Sequence, residues 1–220
     1  MQQDIMTELG LNVAETRPAE RALTGIITET SSDVAYVRLV DGRNVTMPRD
    51  EWFDDIQWQM DWQVAVVLLD EDASVPTASA VRPEAVSGLY LGVTPELLDG
   101  RVKIMSVARA AGDRTKIAVA ATTDEIDAVG AMVGRKANRS RLVSERLRGE
   151  RIDIISWSDD PKTAIANALA PANVEKVVIK GDKATAYVAP HQMSAAVGRN
   201  GINTLLASEL TGYTIKIEVK

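Results

Sequence analysis

Val197-Gly198-Arg199-Asn200-Gly201-Ile202-Asn203 lies between two stretches of helical pattern, and 64 residues earlier Val133-Gly134-Arg135-Lys136-Ala137-Asn138-Arg139 lies in the same setting. Each is a short basic turn opened by glycine and pinched between helices. The first copy runs on to Gly149 and into the alternating stretch Arg151-Ile152-Asp153-Ile154-Ile155. The second runs on to Gly212 and into Tyr213-Thr214-Ile215-Lys216-Ile217. Gly134 to Gly149 spans 16 residues inclusively and Gly198 to Gly212 spans 15. So close a match indicates duplication of one structural unit.

The residues before each turn also correspond. In the first unit, alternation predicts strands at Val102–Ala108 and Lys116–Ala121, then a short apolar helix at Ala128–Val133. In the second, Asp159 or Asp160 caps a helix that starts at Pro161. Strands at Lys176–Lys180 and Ala184–Val188 and a helix at His191–Val197 follow. Helix–strand–strand–helix–loop–helix–strand is the order of a prokaryotic-type (type II) KH domain. KH domains hold a nucleic-acid backbone with a Gly-x-x-Gly loop.

The front half reads differently. Residues 1–20 are polar and read as a short helix or loose tail. From Arg21 to Arg82 the pattern is all strand: Leu23–Thr28, Val34–Val40 before an Asp41-Gly42 turn, Asn44–Met47, Val64–Leu69, and a last strand at Pro76–Val81. Five short strands in so few residues suggest a small closed barrel of S1 or OB type, because closure removes sheet edges. Tyr36, Trp52, Phe53, Trp58 and Trp62 read as core packing ahead of RNA stacking. The expected architecture is a multidomain α+β chain with a tail at 1–20, a five-stranded barrel at 21–82 and a connecting helix at 83–98. Two tandem KH domains follow at 99–158 and 159–220.

The net charge of −6 hides a strong asymmetry. Residues 1–100 carry 6 basic and 18 acidic side chains, whereas residues 101–220 carry 19 and 13. Between Arg135 and Arg151 seven basic residues stand against Glu145 and Glu150. Phosphate binding needs local positive potential, not a basic whole. A solvated helix face with ordinary Glu–Arg pairs is the plainer reading of that run, and the adjacent glycine loop tips it toward nucleic acid.

Enzymatic readings find little material. The chain has no cysteine, which excludes disulfides, zinc–thiolate sites and thiol nucleophiles, and its single histidine, His191, has no partner for a nucleophile–base relay. Asp70-Glu71-Asp72 reads as a solvated turn. No catalytic constellation, metal site or cofactor is expected. Neither a membrane span nor a secretory signal is present in the sequence, so the expected location is cytoplasmic.

Several phrases then give the resemblance specificity: Arg114-Thr115-Lys116-Ile117-Ala118-Val119, Leu147-Arg148-Gly149-Glu150-Arg151-Ile152-Asp153-Ile154-Ile155, Trp157-Ser158-Asp159-Asp160-Pro161, and Val197-Gly198-Arg199-Asn200-Gly201-Ile202-Asn203. Together with the barrel–helix–KH–KH order, the chain resembles the RNA-binding body of the bacterial transcription elongation and termination factor NusA family. The likeness is strong over 95–220 and weaker over 21–94. That family carries an N-terminal polymerase-binding domain, whereas only about twenty residues precede this barrel, so the domain is expected to be missing.

The resemblance implies a non-enzymatic RNA-binding regulator of elongation, pausing, termination or antitermination. An adaptor in ribosomal RNA maturation or decay without polymerase contact is the alternative. Single-stranded RNA is the expected partner, RNA polymerase or another transcription factor a further candidate, and a monomer the expected state. The expected RNA contacts are Gly134, Arg135, Lys136, Ala137, Arg139 and Arg141 in the first unit, and Gly198, Arg199, Asn200, Gly201 and Asn203 in the second. Glycines permit close backbone approach, basic side chains pair with phosphates, and Asn200 and Asn203 reach sugar or base edges. Ala137 replaces the family's glycine, so the intact second loop is the expected better clamp.

Overall fold

In the computed structural model, residues 22–53 and 57–220 are described. The expected tail at 1–20 lies outside them. The barrel comprises β1 (Leu23–Thr30), β2 (Val34–Leu39), β3 (Asn44–Pro48), β4 (Gln63–Leu68) and β5 (Ala78–Ser79), in the order β3-β2-β1-β4-β5. A single bridge from Thr46 to Thr77 brings β3 back to the approach of β5, so the barrel is nearly closed. β5 is shorter than the expected Pro76–Val81. Pro76 has no N–H to give a ladder, and the Ser79 hydroxyl accepts from the N–H groups of Val81 and Arg82 as the chain turns away.

Alternation in β2 places Ala35, Val37 and Leu39 inside, where they meet Ile27, Val45, Met47, Val66, Trp52 and Phe53. Trp58 and Trp62 flank that core half-buried. The aromatic expectation fails at Tyr36, which is 44% exposed because it falls on the outward phase of β2.

The connecting segment is two helices, α1 (Pro83–Leu91) and α2 (Pro95–Leu98), separated where Pro95 removes a helical N–H. The first KH unit then adds β6 (Val102–Ala110), β7 (Arg114–Ala121), α3 (Ala128–Val133), α4 (Asn138–Arg146) and β8 (Arg151–Ser156). The second has α5 (Pro161–Ala168), β9 (Val174–Lys180), β10 (Lys183–Val188), α6 (Met193–Val197), α7 (Ile202–Thr211) and β11 (Thr214–Val219). In both sheets the first two strands are antiparallel and the third lies parallel to the second, ordered β6-β7-β8 and β9-β10-β11. Asp160 caps α5 by accepting from Thr163 N at 3.0 Å.

The strand β7, Arg-Thr-Lys-Ile-Ala-Val-Ala-Ala, is buried on both faces. Ile117 and Val119 face the unit's own helices, with Met132, Val143 and Leu147. Ala118, with Ala108 and Ile155, faces a second core containing Ile165, Leu169, Leu206 and Leu210 of the following unit. The helices α5 and α7 are therefore layered between the first unit's sheet and their own, which is why β7 reads as a nearly continuous apolar run.

Polar groups fix the same junctions. Lys116, fully buried, donates from Nζ to Asp153 Oδ2 at 3.1 Å and to the Ala170 carbonyl at 2.8 Å, tying the two KH units together. Burial pushes the pKa of its ammonium down, against the opposing pull of Asp153. Arg109 and Glu150 form a completely buried ion pair at 2.9 Å. Arg109 Nη1 also donates to the carbonyls of Ala80 and Arg82, and Glu150 accepts from Gly112 N and Thr115 Oγ1. This pair locks the barrel to the first KH unit.

Candidate nucleic-acid interface

The two glycine loops take almost the same path. Gly134 has φ 74° and ψ 167°, and Gly198 has φ 74° and ψ 170°. Two positions on, Lys136 (φ 53°) and Asn200 (φ 52°) both enter the left-handed region. The last loop residues, Ala137 (φ 58°) and Gly201 (φ 77°), stay there and serve as the N-caps of α4 and α7. Ala137 thus adopts the glycine conformation. A non-glycine residue there costs roughly 1–2 kcal/mol.

The glycines differ in purpose. A Cβ on Gly198 would stand 2.8 Å from Asn203 Cβ and 2.9 Å from its nitrogen, and one on Gly134 would stand 2.7 Å from Arg139 Cγ. The opening glycine is needed so that the loop can lie against the residue five positions later. A Cβ on Gly201 would meet nothing within 4 Å. That position faces open space, where an incoming backbone has room.

The residue five positions on departs from the sequence reading. Asn203, expected to reach a sugar or base edge, is fully buried, and its Nδ2 donates to Leu169 O and Ala196 O at 3.0 Å each. Arg139, expected on the positive surface, turns back to donate to Ala131 O and to pair with Glu96 at 2.8 Å. Both side chains fasten the end of the helix before the loop. They position the loop and do not line it. Their shared spacing from the opening glycine marks them as equivalent positions but carries no sign of burial.

The remaining expected contacts stay outside. Arg135, Lys136, Arg141, Arg199 and Asn200 are exposed, and among the described residues no ion pair links these cations to a carboxylate. Arg141 folds toward the loop, donating to Lys136 O at 2.8 Å. Of the rest of the arginine run, Arg151 pairs with Asp113 and Arg148 lies 3.5 Å over the Trp62 ring, bridging to the barrel. The positive surface is thus smaller than the run of seven suggested.

The helix starts add a further signal. Asp127 and Asp160 cap α3 and α5 with their side chains, whereas α4 and α7, which follow the loops, have no side-chain cap. In each the loop itself takes the first N–H, Asn138 N donating to Arg135 O and Ile202 N to Arg199 O, so what these helix starts offer an outside phosphate is the positive end of the helix. Tyr90 supports α4 from behind through a hydroxyl contact to Ser140 Oγ at 3.1 Å, and burial pushes its phenol up to about 12.

With this geometry in place, comparison with known proteins is direct. Residues 81–157 match the NusA-like first KH domain and residues 161–220 the NusA-like second KH domain. The chain belongs to the NusA family. It is 36% identical over 206 residues to the transcription termination/antitermination protein NusA of Halalkalibacterium halodurans, covering 90% of this chain and 53% of that protein. NusA of Bacillus subtilis is 35% identical over 206 residues, covering 90% and 55%. NusA of Mycobacterium tuberculosis is 43% identical over 144 residues, covering 64% and 42%. The chain therefore spans about half the length of the curated relatives it matches. The barrel and paired KH units are the S1–KH–KH body of that family.

Proposed function

We propose that this chain is an RNA-binding NusA-type factor that holds single-stranded RNA and thereby modulates elongation, pausing, termination or antitermination. The observation that carries this reading is the pair of loops with matching backbone angles. Each presents exposed cations that form no ion pair among the described residues, and each opens a helix without a side-chain cap. Such a loop holds phosphates by backbone N–H groups and charge, while unstacked bases supply whatever sequence preference there is. Gly134, Arg135, Lys136, Ala137 and Arg141 form one clamp, and Gly198, Arg199, Asn200 and Gly201 the other. Arg139 and Asn203 hold the two in shape.

The division of labour follows the proposed domains. The barrel at 21–82 and its connector at 83–98 brace the KH units at 99–158 and 159–220, and RNA polymerase is the proposed protein partner in the bacterial cytoplasm. Titration of single-stranded RNA at two salt concentrations tests RNA binding, with salt-sensitive association expected. Pull-down with core polymerase, with and without RNA, tests the partner. Absence of binding in both arms sinks the direct polymerase role while leaving the RNA clamp standing.

A further inference from the structure

The outer face of the first KH sheet carries Ala108, Ala118 and Ile155 and is covered by α5 and α7. Among the described residues no helix covers the equivalent face of the second sheet, and its chemistry is different. Alternation puts Ala184 and Ala186 of β10 and Ile215 of β11 against the helices, which leaves Lys183, Thr185, Tyr187, Thr214, Lys216 and Glu218 on the far side. Lys176 and Lys180 of β9 share that side, as their register opposite Tyr187 and Lys183 shows.

Two features make this face more than a solvated surface. Lys180 and Lys183 are direct cross-strand partners, an arrangement of like charges that destabilises a sheet. Neither forms an ion pair among the described residues. Lys216 pairs with Glu218 at 2.7 Å yet keeps 73% of its side-chain surface in solvent. A local rule broken with no internal compensation marks a place where an outside ligand supplies it.

The ligand is a polyanion. Lysine is depleted from protein–protein interfaces, whose cores use aromatic, apolar and arginine anchors, and this face offers four lysines against one glutamate, with Val178 and Tyr187 its half-buried apolar and aromatic members. Strands lie about 4.8 Å apart and same-face residues about 7 Å apart, so the ammonium groups form a grid on the scale of successive phosphates along an extended strand. We propose that the open face of the second KH sheet, built on Lys176, Lys180, Lys183 and Lys216, is an additional phosphate-tracking surface for single-stranded RNA longer than the loop clamps hold. It rests on the clamp reading for the RNA that it extends.

The experiment uses the full chain and two single-stranded RNAs of mixed sequence, one too short to leave the clamps and one about three times longer. Each is titrated at several salt concentrations against wild type, K180Q/K183Q, and K103Q/K162Q, a control with the same charge change at exposed lysines elsewhere. The expected result is that K180Q/K183Q binds the short RNA as wild type does but loses about five- to tenfold affinity for the long one. Its salt slope for the long RNA should fall by about 1–1.5, as loss of two phosphate contacts requires, with K103Q/K162Q near wild type. Equal affinities and slopes for wild type and K180Q/K183Q overturn the proposal, as does an equal loss in the control, which makes it a net-charge effect. It is also overturned if poly-glutamate binding depends on Lys180 and Lys183 while RNA binding does not, because the partner is then an acidic protein. If the short RNA fails to bind while the long one binds through these lysines, the clamp reading falls and the sheet surface stands. If neither RNA binds, both fall.

Discussion

At the scale of single residues, Ala137 shows that backbone geometry, not residue identity, defines the loop. It holds φ 58° where its counterpart Gly201 holds φ 77°, so the first loop keeps its shape at a local cost. Ala137→Gly should raise stability by about 0.5–1 kcal/mol in urea unfolding, since relief of the left-handed strain is offset by a freer unfolded chain. Gly201→Ala should lower it by a similar amount. Tyr90 gives a pH signature. Its phenol titrates near 10 when unfolded and about 12 when folded, so it stabilises the neutral-pH fold. That contribution is complete below pH 10 and disappears as pH rises toward 12, a loss of roughly 3 kcal/mol. The stability of wild type should therefore fall by that amount relative to Tyr90→Phe across that interval. Lys116 has the opposite sign: its pKa is lowered by burial, so its contribution rises with pH from the lowered value up to the ordinary lysine value near 10.5.

At the scale of elements, the central feature is a helix–loop–helix fastened from within by the residue five positions after its opening glycine. Asn203→Ala removes two buried hydrogen bonds, to the Leu169 and Ala196 carbonyls, each of which keeps one other donor, and should cost about 1–3 kcal/mol, measurable by thermal or urea unfolding. Glu150→Gln breaks the buried pair with Arg109 and should cost about 3–5 kcal/mol, with the barrel–KH junction opening first in hydrogen exchange. Much of this organisation was legible in sequence. Strand alternation and turn residues marked the barrel, and repeated spacing marked both KH units, because these signals are local. The roles of Asn203 and Arg139 were not legible, since a polar residue next to a basic loop reads as surface until the preceding helix end is seen to need a donor. Tyr36 was misread for a similar reason: five aromatics in one segment suggest one core, yet strand phase sends this ring outward. Glu150 and Arg109 lie 41 residues apart, and nothing local announces their pairing.

At the scale of the whole molecule, the two KH units share a core in which α5 and α7 are packed between two sheets, and the barrel is fixed to the first unit by a buried ion pair. The result is a stiff platform rather than domains on linkers. Leu206, buried among residues of both units, is the place to test this. Leu206→Ala should cost about 2–5 kcal/mol and lower amide protection in β7 of the first unit as well as in α7 of the second. Confinement of the effect to the second unit would show two independent cores. The central claim is that this platform presents two loop clamps to RNA, the second better formed than the first. Titration of single-stranded RNA against wild type, Gly201→Asp and Ala137→Asp, at about 50 and 200 mM salt, tests it most directly. Wild type should bind with salt sensitivity, Gly201→Asp should lose more affinity and Ala137→Asp less. Binding that is absent or indifferent to salt, or a larger loss for Ala137→Asp, would contradict it.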